Sequence, residues 1–300
     1  MKTIIYATDC SENDASSLKY AYRYSCIMKA ELHVLHVYDF PPITFSTIRS
    51  STTLKKGVHE EKIAFLDKYC KTHLKNEFSQ KPITTHVIDS VSISESIKRL
   101  SKSLNTDLII LGKKDGHSNR GYFSGNIASA LLDIIDVPLL IVPNGLIYNT
   151  ISTIVYATDF EEDDVLSIKK LIGIAEPFSA LIEVIHIYKT DEEPAKELME
   201  EFKNLVTNQI SYKEITFRTI ASTRIKSGLL SVLDIEKASM LAMLERKHDL
   251  NFSNLFHKDL VKDMEETLRI PLLAFNKHSS KLQNANAKLK KKDKQLLAFS

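Results

Sequence analysis

The segment Thr3–Asp9 (TIIYATD) returns 150 residues later as Thr153–Asp159 (TIVYATD). A second pair keeps the same offset, since Val34–Tyr38 (VLHVY) returns as Val184–Tyr188 (VIHIY). Chance matches would not share one offset, so the pattern indicates duplication of a whole domain. The chain therefore holds two related halves, each with a strand that ends in Ala-Thr-Asp.

A third pair shows that the second copy is shorter. Val137–Leu140 (VPLL) returns as Ile270–Leu273 (IPLL) at an offset of 133. The second copy thus lacks about 17 residues, which we place mostly between its second and fourth strands. A turn with Pro143, Asn144 and Gly145 marks the boundary between the copies near Asn144–Thr150. We predict domains at residues 1–146 and 151–277, followed by a tail at 278–300.

Short apolar runs, rich in isoleucine and valine, alternate with longer amphipathic stretches in both halves. Strands are predicted in the first half at Thr3–Thr8, Leu32–Tyr38, Ile83–Ile88, Leu108–Leu111 and Leu139–Val142. Helices are predicted between them at Glu12–Lys29, Thr53–Leu74 and Ile93–Leu104. Strands are predicted in the second half at Thr153–Thr158, Leu181–Tyr188, Ile215–Thr219, Ser239–Met243 and Pro271–Phe275. This order is typical of an α/β fold with two tandem doubly wound, Rossmann-like parallel sheets.

Composition narrows the class of protein. The 300 residues are 43% hydrophobic and carry a net charge of +2, which suits two globular domains. Seven lysines from Lys277 onward account for much of the positive charge, so no nucleic-acid surface is expected in the body. Leu282, Leu289 and Leu296 recur every seven residues in this tail, too few for a coiled-coil prediction. With no leader and no membrane-spanning stretch evident, we expect a cytoplasmic protein.

A glycine-rich loop follows the fourth strand of the first half. Four of the eight glycines lie there, at Gly112, Gly116, Gly121 and Gly125. Such a loop, running from a strand into a helix near Ile127, can bring backbone N–H groups close to phosphate oxygens. Positive charge for the same task is available from Lys113, Lys114 and Arg120. The same composition also suits a flexible surface loop, and the residues alone leave both interpretations open.

The chain resembles the universal stress protein family in its tandem form. The resemblance rests on the order of elements, on the strand ends Ala7-Thr8-Asp9 and His36-Val37, and on this loop. The resemblance covers essentially residues 1 to 276. Nucleotide-binding members carry glycine, two residues, glycine, nine residues, then glycine followed by serine or threonine. Here the spacing from Gly112 to Gly125 is kept, but Asp115 replaces the second glycine and Asn126 replaces the hydroxyl residue.

The resemblance implies an adenine-nucleotide fold and a site in the first half. It places Thr8 and Asp9 near the ribose and the backbone of Val37 against adenine. The residues that it implies around the nucleotide are Ala7, Thr8, Asp9, Val37, Leu111, Gly112, Asp115, Gly116, Gly125, Asn126 and Ile127. The ligand would be ATP or another adenine nucleotide, with or without Mg. Asp115 would set a carboxylate near polyphosphate, which weakens binding, whereas Asn126 can still cap a helix.

The second half has no glycine in the equivalent stretch Leu244–Leu250. An apolar stripe of helical spacing follows it, from Phe252 to Met264. We therefore expect a second domain that is structural or docks a partner, with Asp159 as a helix cap or first-turn acid. Related domains in one chain can pack about a pseudo-two-fold axis, as universal stress protein subunits do in dimers. A further homodimer is compatible with the sequence.

Several polar residues invite a chemical role. His36 and His186 stand alone in their halves, so packed strand histidines are favoured over metal ligands. Cys10 lies near a helix start, where the pKa of a thiol can fall. Ser11 or Asn13 could cap the first helix, and Ser92 with Glu95 is typical of a capping box.

Catalytic signatures are missing from the sequence, which has no Walker loop, no Gly-x-Ser-x-Gly elbow and no His-Glu-x-x-His. We expect no enzyme, with slow ATP hydrolysis at most. Three hypotheses remain: a nucleotide-responsive stress module with unknown protein partners, an interaction or scaffold protein of the same fold that binds no nucleotide, and an enzyme of unrecognised chemistry.

Overall fold

The computed structural model describes residues 2–40, 51–75, 77, 81–113, 125–189, 194–245, 264 and 267–276. The chain divides into two compact units. The first comprises residues 1–134, 139–150 and 265–272, and the second comprises 135–138, 151–264 and 273–300. Each unit is a layered α/β structure of its own.

The first unit contains a five-stranded sheet in the order β3-β2-β1-β4-β5. Its strands are β1 (Thr3–Ala7), β2 (Glu31–Tyr38), β3 (Thr84–Asp89), β4 (Leu108–Gly112) and β5 (Leu139–Val142). Its helices are α1 (Ala15–Ile27), α2 (Ser51–Leu74), α3 (Ile93–Leu104) and α4 (Gly125–Ile134). All four strand pairs are parallel. The predicted doubly wound fold is confirmed.

Chain direction decides on which face each helix lies. The path from β1 through β2 to β3 moves one way across the sheet, whereas β4 and β5 continue on the other side of β1. Because crossovers are right-handed, α1 and α2 cover one face and α3 and α4 cover the other. The contacts between α1 and α2 and between α3 and α4 agree with this arrangement. β1 is therefore covered on both faces, and all five of its residues are buried.

The second unit repeats this order as β10-β9-β6-β7-β8. Its strands are β6 (Thr153–Ala157), β7 (Leu181–Tyr188), β8 (Ile215–Ala221), β9 (Met240–Glu245) and β10 (Leu272–Asn276). Its helices are α5 (Glu162–Ala175), α6 (Ala195–Thr207) and α7 (Ile225–Ile235). The missing residues lie mostly in one helix, because α6 has 13 residues where α2 has 24.

The structure tests the capping predictions for two helices. Ser92 caps α3, and its Oγ accepts a hydrogen bond from the N–H of Glu95 at 3.4 Å, which confirms one half of the predicted capping box. The N–H of Ser92 donates to Ser90 Oγ at 3.2 Å instead of to the Glu95 side chain. The prediction for the first helix is wrong, because a 3₁₀ turn (Glu12–Asp14) precedes α1 and the side chains of Ser11 and Asn13 do not cap it. Asp14 holds the N-cap position of α1, but its carboxyl group turns into the core instead of capping the helix.

None of the helices in the described part of the chain is both long and apolar enough to span a membrane. The predicted stripe at 252–264 lies outside the described residues except for Met264, which is buried. The lysine-rich tail lies outside them entirely.

Candidate functional site

The carboxyl ends of β1, β2 and β4 meet at one edge of the first sheet. Ala7 pairs with Leu35 on one side and with Leu111 on the other. The next residue of each strand therefore lies along the same edge: Thr8, His36 and Gly112. Since the strand order reverses between β1 and β4, this is the switch point at which doubly wound folds bind ligands. Thr8 and Gly112 thus flank the expected crevice.

A buried aspartate ties the end of β1 to the start of α1. The Thr8 hydroxyl donates to Asp14 Oδ2 at 2.6 Å, and Thr8 Oγ1 accepts from the N–H of Cys10 at 2.9 Å. The Tyr6 hydroxyl donates to the backbone oxygen of Asp14 at 3.0 Å. Asp14 is only 4% exposed. This network fixes the path of the chain where it leaves the strand.

The carboxyl group of Asp14 occupies the space beside Gly112. A Cβ atom on Gly112 would lie 1.9 Å from Asp14 Oδ1 and 2.8 Å from Ser17 Oγ. A side chain at residue 112 is therefore incompatible with Asp14 in this position. Gly112 has a packing role at the floor of the crevice, besides any role toward a ligand.

Few hydrogen-bond donors contact the carboxyl group of Asp14. Among the described residues, neither Asp14 Oδ1 nor Ser17 Oγ has a hydrogen-bond partner. Burial raises the pKa of the Asp14 carboxyl above its ordinary value, and the neighbouring hydroxyls of Thr8, Tyr6 and Ser17 oppose this shift only in part. The Asp14 carboxyl group is therefore protonated more readily than that of an exposed aspartate.

The second unit contains the same aspartate with a full set of donors. Asp164 Oδ1 accepts from the Tyr156 hydroxyl at 2.7 Å. Asp164 Oδ2 accepts from the Thr158 hydroxyl at 2.8 Å and from the N–H groups of Glu161 at 3.1 Å and Asp159 at 3.3 Å. Four donors around one carboxylate stabilise its charged form. The equivalent aspartates of the two units therefore differ in the number of hydrogen bonds that they accept.

Sequence reasoning missed this pair, although the signal was present. Asp14 and Asp164 share the offset of 150 with the strand motifs. An acidic residue at a helix start is ordinarily explained by the helix dipole. Burial of the carboxyl group follows only from the tertiary structure, because it depends on Gly112 in the case of Asp14 and on the turn geometry in the case of Asp164.

The residue that follows the Thr-Asp motif differs in size between the units. Cys10 and Phe160 share a left-handed backbone conformation, with φ of 60° and 65°. Phe160 packs against His186 and Phe202, with ring centroids 4.3 and 5.7 Å apart. Cys10 is smaller and buried, with its Sγ 3.7 Å from Nδ1 of His36. The ring of Phe65 from α2 meets His36 edge-to-face, with centroids 6.2 Å apart.

Burial raises the pKa of the Cys10 thiol, so the expected fall in its pKa is wrong. The proximity of a helix start does not compensate for the loss of water around the sulfur.

Gly112 also has a larger counterpart. Because Ala7 pairs with Leu111 and Ala157 pairs with Met243, the residue of β9 that corresponds to Gly112 is Leu244. Leu244 is 5% exposed. Two small residues of the first crevice, Cys10 and Gly112, are thus replaced by Phe160 and Leu244 in the second.

The matched histidines are packed strand residues, as favoured from the sequence. Nδ1 of His36 donates to the Thr8 carbonyl at 3.1 Å, and Nδ1 of His186 donates to the Thr158 carbonyl at 2.8 Å. Burial lowers the pKa of His36, which keeps it neutral. No group of three or more potential metal ligands occurs within the described ranges.

Asp9 and Asp159 follow the first strands of the two units. Asp9 is half-buried, and its Oδ1 accepts the N–H of Ser11 at 2.9 Å. Asp159 is neither a helix cap nor a first-turn acid, because Glu161 holds the N-cap of α5 and the Asp159 carboxylate lies 3.4 Å from Nδ1 of His186. That prediction is wrong, because α5 begins only at Glu162.

The residues after β4 are described in part. The buried residues Ala7, Thr8, Val37 and Leu111 lie at the ends of β1, β2 and β4. α4 begins at Gly125, so Asn126 lies inside its first turn and is not its cap, and Ile127 follows it. Asp115 and Gly116, with Lys114 and Arg120, lie outside the described residues.

The fold is that of a doubly wound α/β protein, and the ends of β1, β2 and β4 in its first unit meet at the switch point of the sheet. Residues 1–143 match the model of the universal stress protein family. The first half of the chain is therefore a universal stress protein domain, and the family resemblance seen in the sequence is confirmed. None of the curated proteins compared with the chain matches it.

Solved structures show the same fold over the whole chain. A universal stress protein from Archaeoglobus fulgidus DSM 4304 is 14% identical, with a TM-score of 0.62 over 91% of this chain and 96% of that one. A putative universal stress protein from Pseudomonas aeruginosa UCBPP-PA14 is 14% identical, with a TM-score of 0.55 over 92% and 93%. A functionally unknown protein from Pseudomonas aeruginosa PAO1 is 13% identical, with a TM-score of 0.58 over 96% and 98%.

Gly112→Ala should destabilise the first unit by about 1 to 3 kcal/mol, because the new methyl group overlaps the Asp14 carboxyl. In the background of Asp14→Ala the same change should cost clearly less, which a double-mutant cycle of unfolding free energies measures. Gly57→Ala is the matched control, since a Cβ at Gly57 meets no atom within 4 Å. Equal costs of Gly112→Ala in both backgrounds would contradict the packing role.

Asp14→Asn and Asp164→Asn should respond to pH in different ways. The folded state holds the Asp14 proton more tightly than the unfolded chain, whose pKa is near 3.8. The resulting stability is complete below that pKa and is lost as the pH rises through the folded-state pKa. The free energy of unfolding of Asp14→Asn, relative to that of the natural chain, should therefore increase as the pH rises from 4.

Asp164→Asn should instead destabilise the second unit at pH 7 by about 2 kcal/mol, because its donors lose a charged acceptor. Native-state hydrogen exchange at the amides of Tyr6 and Tyr156 reports each unit separately. If the free energy of unfolding of the first unit depends on pH in the same way in Asp14→Asn and in the natural chain, the raised pKa of Asp14 is refuted.

Proposed function

We propose that the first unit binds ATP or a related adenine nucleotide in the crevice between β1 and β4, and that the second unit is structural or docks a partner. The supporting observation is the difference between the two crevices. The first has the small residues Cys10 and Gly112 where the second has Phe160 and Leu244, and Phe160 packs against His186 and Phe202. A duplicated pair with one filled crevice fits a division of labour.

The edge of the first unit offers chemistry that suits a nucleotide. The glycine at the end of β4 allows close backbone approach, and the N-terminus of α4 at Gly125 supplies N–H groups and partial positive charge. Lys113 follows directly after Gly112 and adds a cation.

The family resemblance supplies the orientation of the ligand. We assign the ribose to Thr8 and Asp9, the adenine to the backbone at Val37, and the polyphosphate to the first turn of α4 from Gly125. Mg²⁺ would accompany the phosphates if they bind as the triphosphate. The protein then acts as a nucleotide-responsive stress module, with at most slow hydrolysis of the bound nucleotide.

Cys10→Phe tests this proposal by giving the first crevice the residue of the second. Because Cys10 and Phe160 share one backbone conformation, phenylalanine fits residue 10 without new backbone strain. The natural chain at an ATP concentration of ~100 times the dissociation constant should gain about 2.7 kcal/mol of stability in the binding unit. That gain corresponds to a rise of several degrees in its unfolding temperature, and Cys10→Phe should abolish it.

Phe160→Cys is the matched control, since it changes the equivalent residue of the second unit. It should leave the ATP-dependent shift of the first unit unchanged. If the natural chain shows no shift with ATP, ADP or AMP, with or without Mg²⁺, the protein is an interaction or scaffold protein of the same fold. A shift that persists in Cys10→Phe would place the nucleotide elsewhere.

Restoring the family motif tests the departures in the loop. Asp115→Gly removes a carboxylate from beside the phosphates, and Asn126→Ser restores a hydroxyl group in the first turn of α4. We expect the double variant to bind ATP about tenfold more tightly in calorimetric titration, equivalent to about 1.4 kcal/mol. Unchanged affinity would mean that neither position contacts the phosphates.

A further inference from the structure

A cavity of about 540 Å³ lies beside the ends of β4 and β5 in the first unit. Lys113, which follows β4, lines one part, and the segment from residue 143 to residue 149, which follows β5, provides most of the rest. Arg269 also lines it and belongs to the stretch 265–272 of the same unit. Its volume is within the range of small-molecule sites.

The wall formed by residues 143–149 is anchored on both sides. The N–H of Gly145 donates to Ser16 Oγ of α1 at 2.9 Å. The ring of Tyr148 packs edge-to-face on Tyr20, also of α1, with centroids 5.1 Å apart. The N–H of Lys113 donates to the carbonyl of Val142 at 2.7 Å. The cavity is therefore bounded by structure that exists before any ligand binds, which lowers the entropic cost of binding.

The lining combines positive charge with apolar surface. Lys113 and Arg269 are its charged residues in the described part of the chain, and no aspartate or glutamate accompanies them there. Asn144 and Asn149 add amide donors. Leu146 and Ile147 supply hydrocarbon, and Ile147 is 76% exposed. A ligand with an anionic head and an apolar body would match both halves of this surface.

We propose that this cavity binds an amphipathic organic anion, with a carboxylate or phosphate head between Lys113 and Arg269 and an apolar chain over Leu146 and Ile147. The site lies at the ends of β4 and β5, next to the nucleotide crevice at the ends of β1 and β4, and the two have Lys113 in common. It does not depend on nucleotide binding by the first unit.

Isothermal titration of the full chain with octanoate and with octyl phosphate tests the proposal and distinguishes the two head groups. At least one of them should bind, while acetate and octanamide, which lack the apolar chain and the charge respectively, should bind at least about tenfold more weakly. Arg269→Gln should lower the affinity for the anion by about tenfold or more. Arg224→Gln, which changes another exposed arginine that does not line the cavity, should leave affinity unchanged.

Ile147→Ser probes the apolar half without disturbing the core, since this side chain is exposed. It should weaken the binding of octanoate or octyl phosphate several-fold and leave the binding of acetate unchanged. Cys10→Phe, which blocks the nucleotide crevice, should have no effect on either anion. Loss of anion binding in Cys10→Phe would assign the ligand to the crevice and overturn the proposal. Full affinity in Arg269→Gln, or no binding of either octyl compound, would also overturn it.

Discussion

A hydrogen bond between the threonine that follows the first strand and a buried aspartate six residues later shapes both units. Asp14 is the N-cap of α1, and Asp164 lies in the first turn of α5. In the first unit Thr8 donates to Asp14, and in the second Thr158 donates to Asp164. The bond spans a left-handed residue, Cys10 or Phe160, which reverses the chain above the sheet edge. The bond thereby fixes where the chain turns after the first strand of each unit.

The surroundings of this aspartate explain how the duplicated units diverged. Asp164 accepts four hydrogen bonds and behaves as a structural carboxylate. In the described residues, Asp14 Oδ2 accepts a hydrogen bond from Thr8, and Oδ1 lies where a side chain at residue 112 would be. The position of the Asp14 carboxyl group therefore requires glycine at residue 112 in the first unit. In the second unit Leu244 and Phe160 occupy the corresponding positions.

The fold was largely predictable because its signals are local. Short buried strands leave apolar runs, and parallel strands with intervening helices permit few topologies. β5 and β7 were predicted to the residue, and Ser92 was recognised as a cap because its partner Glu95 is three residues away. The candidate site was predictable only at its strand ends. Nothing local distinguishes Asp14 from an ordinary helix-start acid, and the pKa of Cys10 depends on burial.

The sequence by itself determined that this chain is a duplication, that each copy is a doubly wound α/β unit and that one copy kept a glycine loop. Those conclusions rest on spacing and apolar periodicity, which are written along the chain. Only the tertiary structure decided that Asp14 is buried against Gly112 and that Phe160 fills the second crevice. Both are contacts between elements distant in sequence, and their existence depends on which side chains the folded sheet brings together.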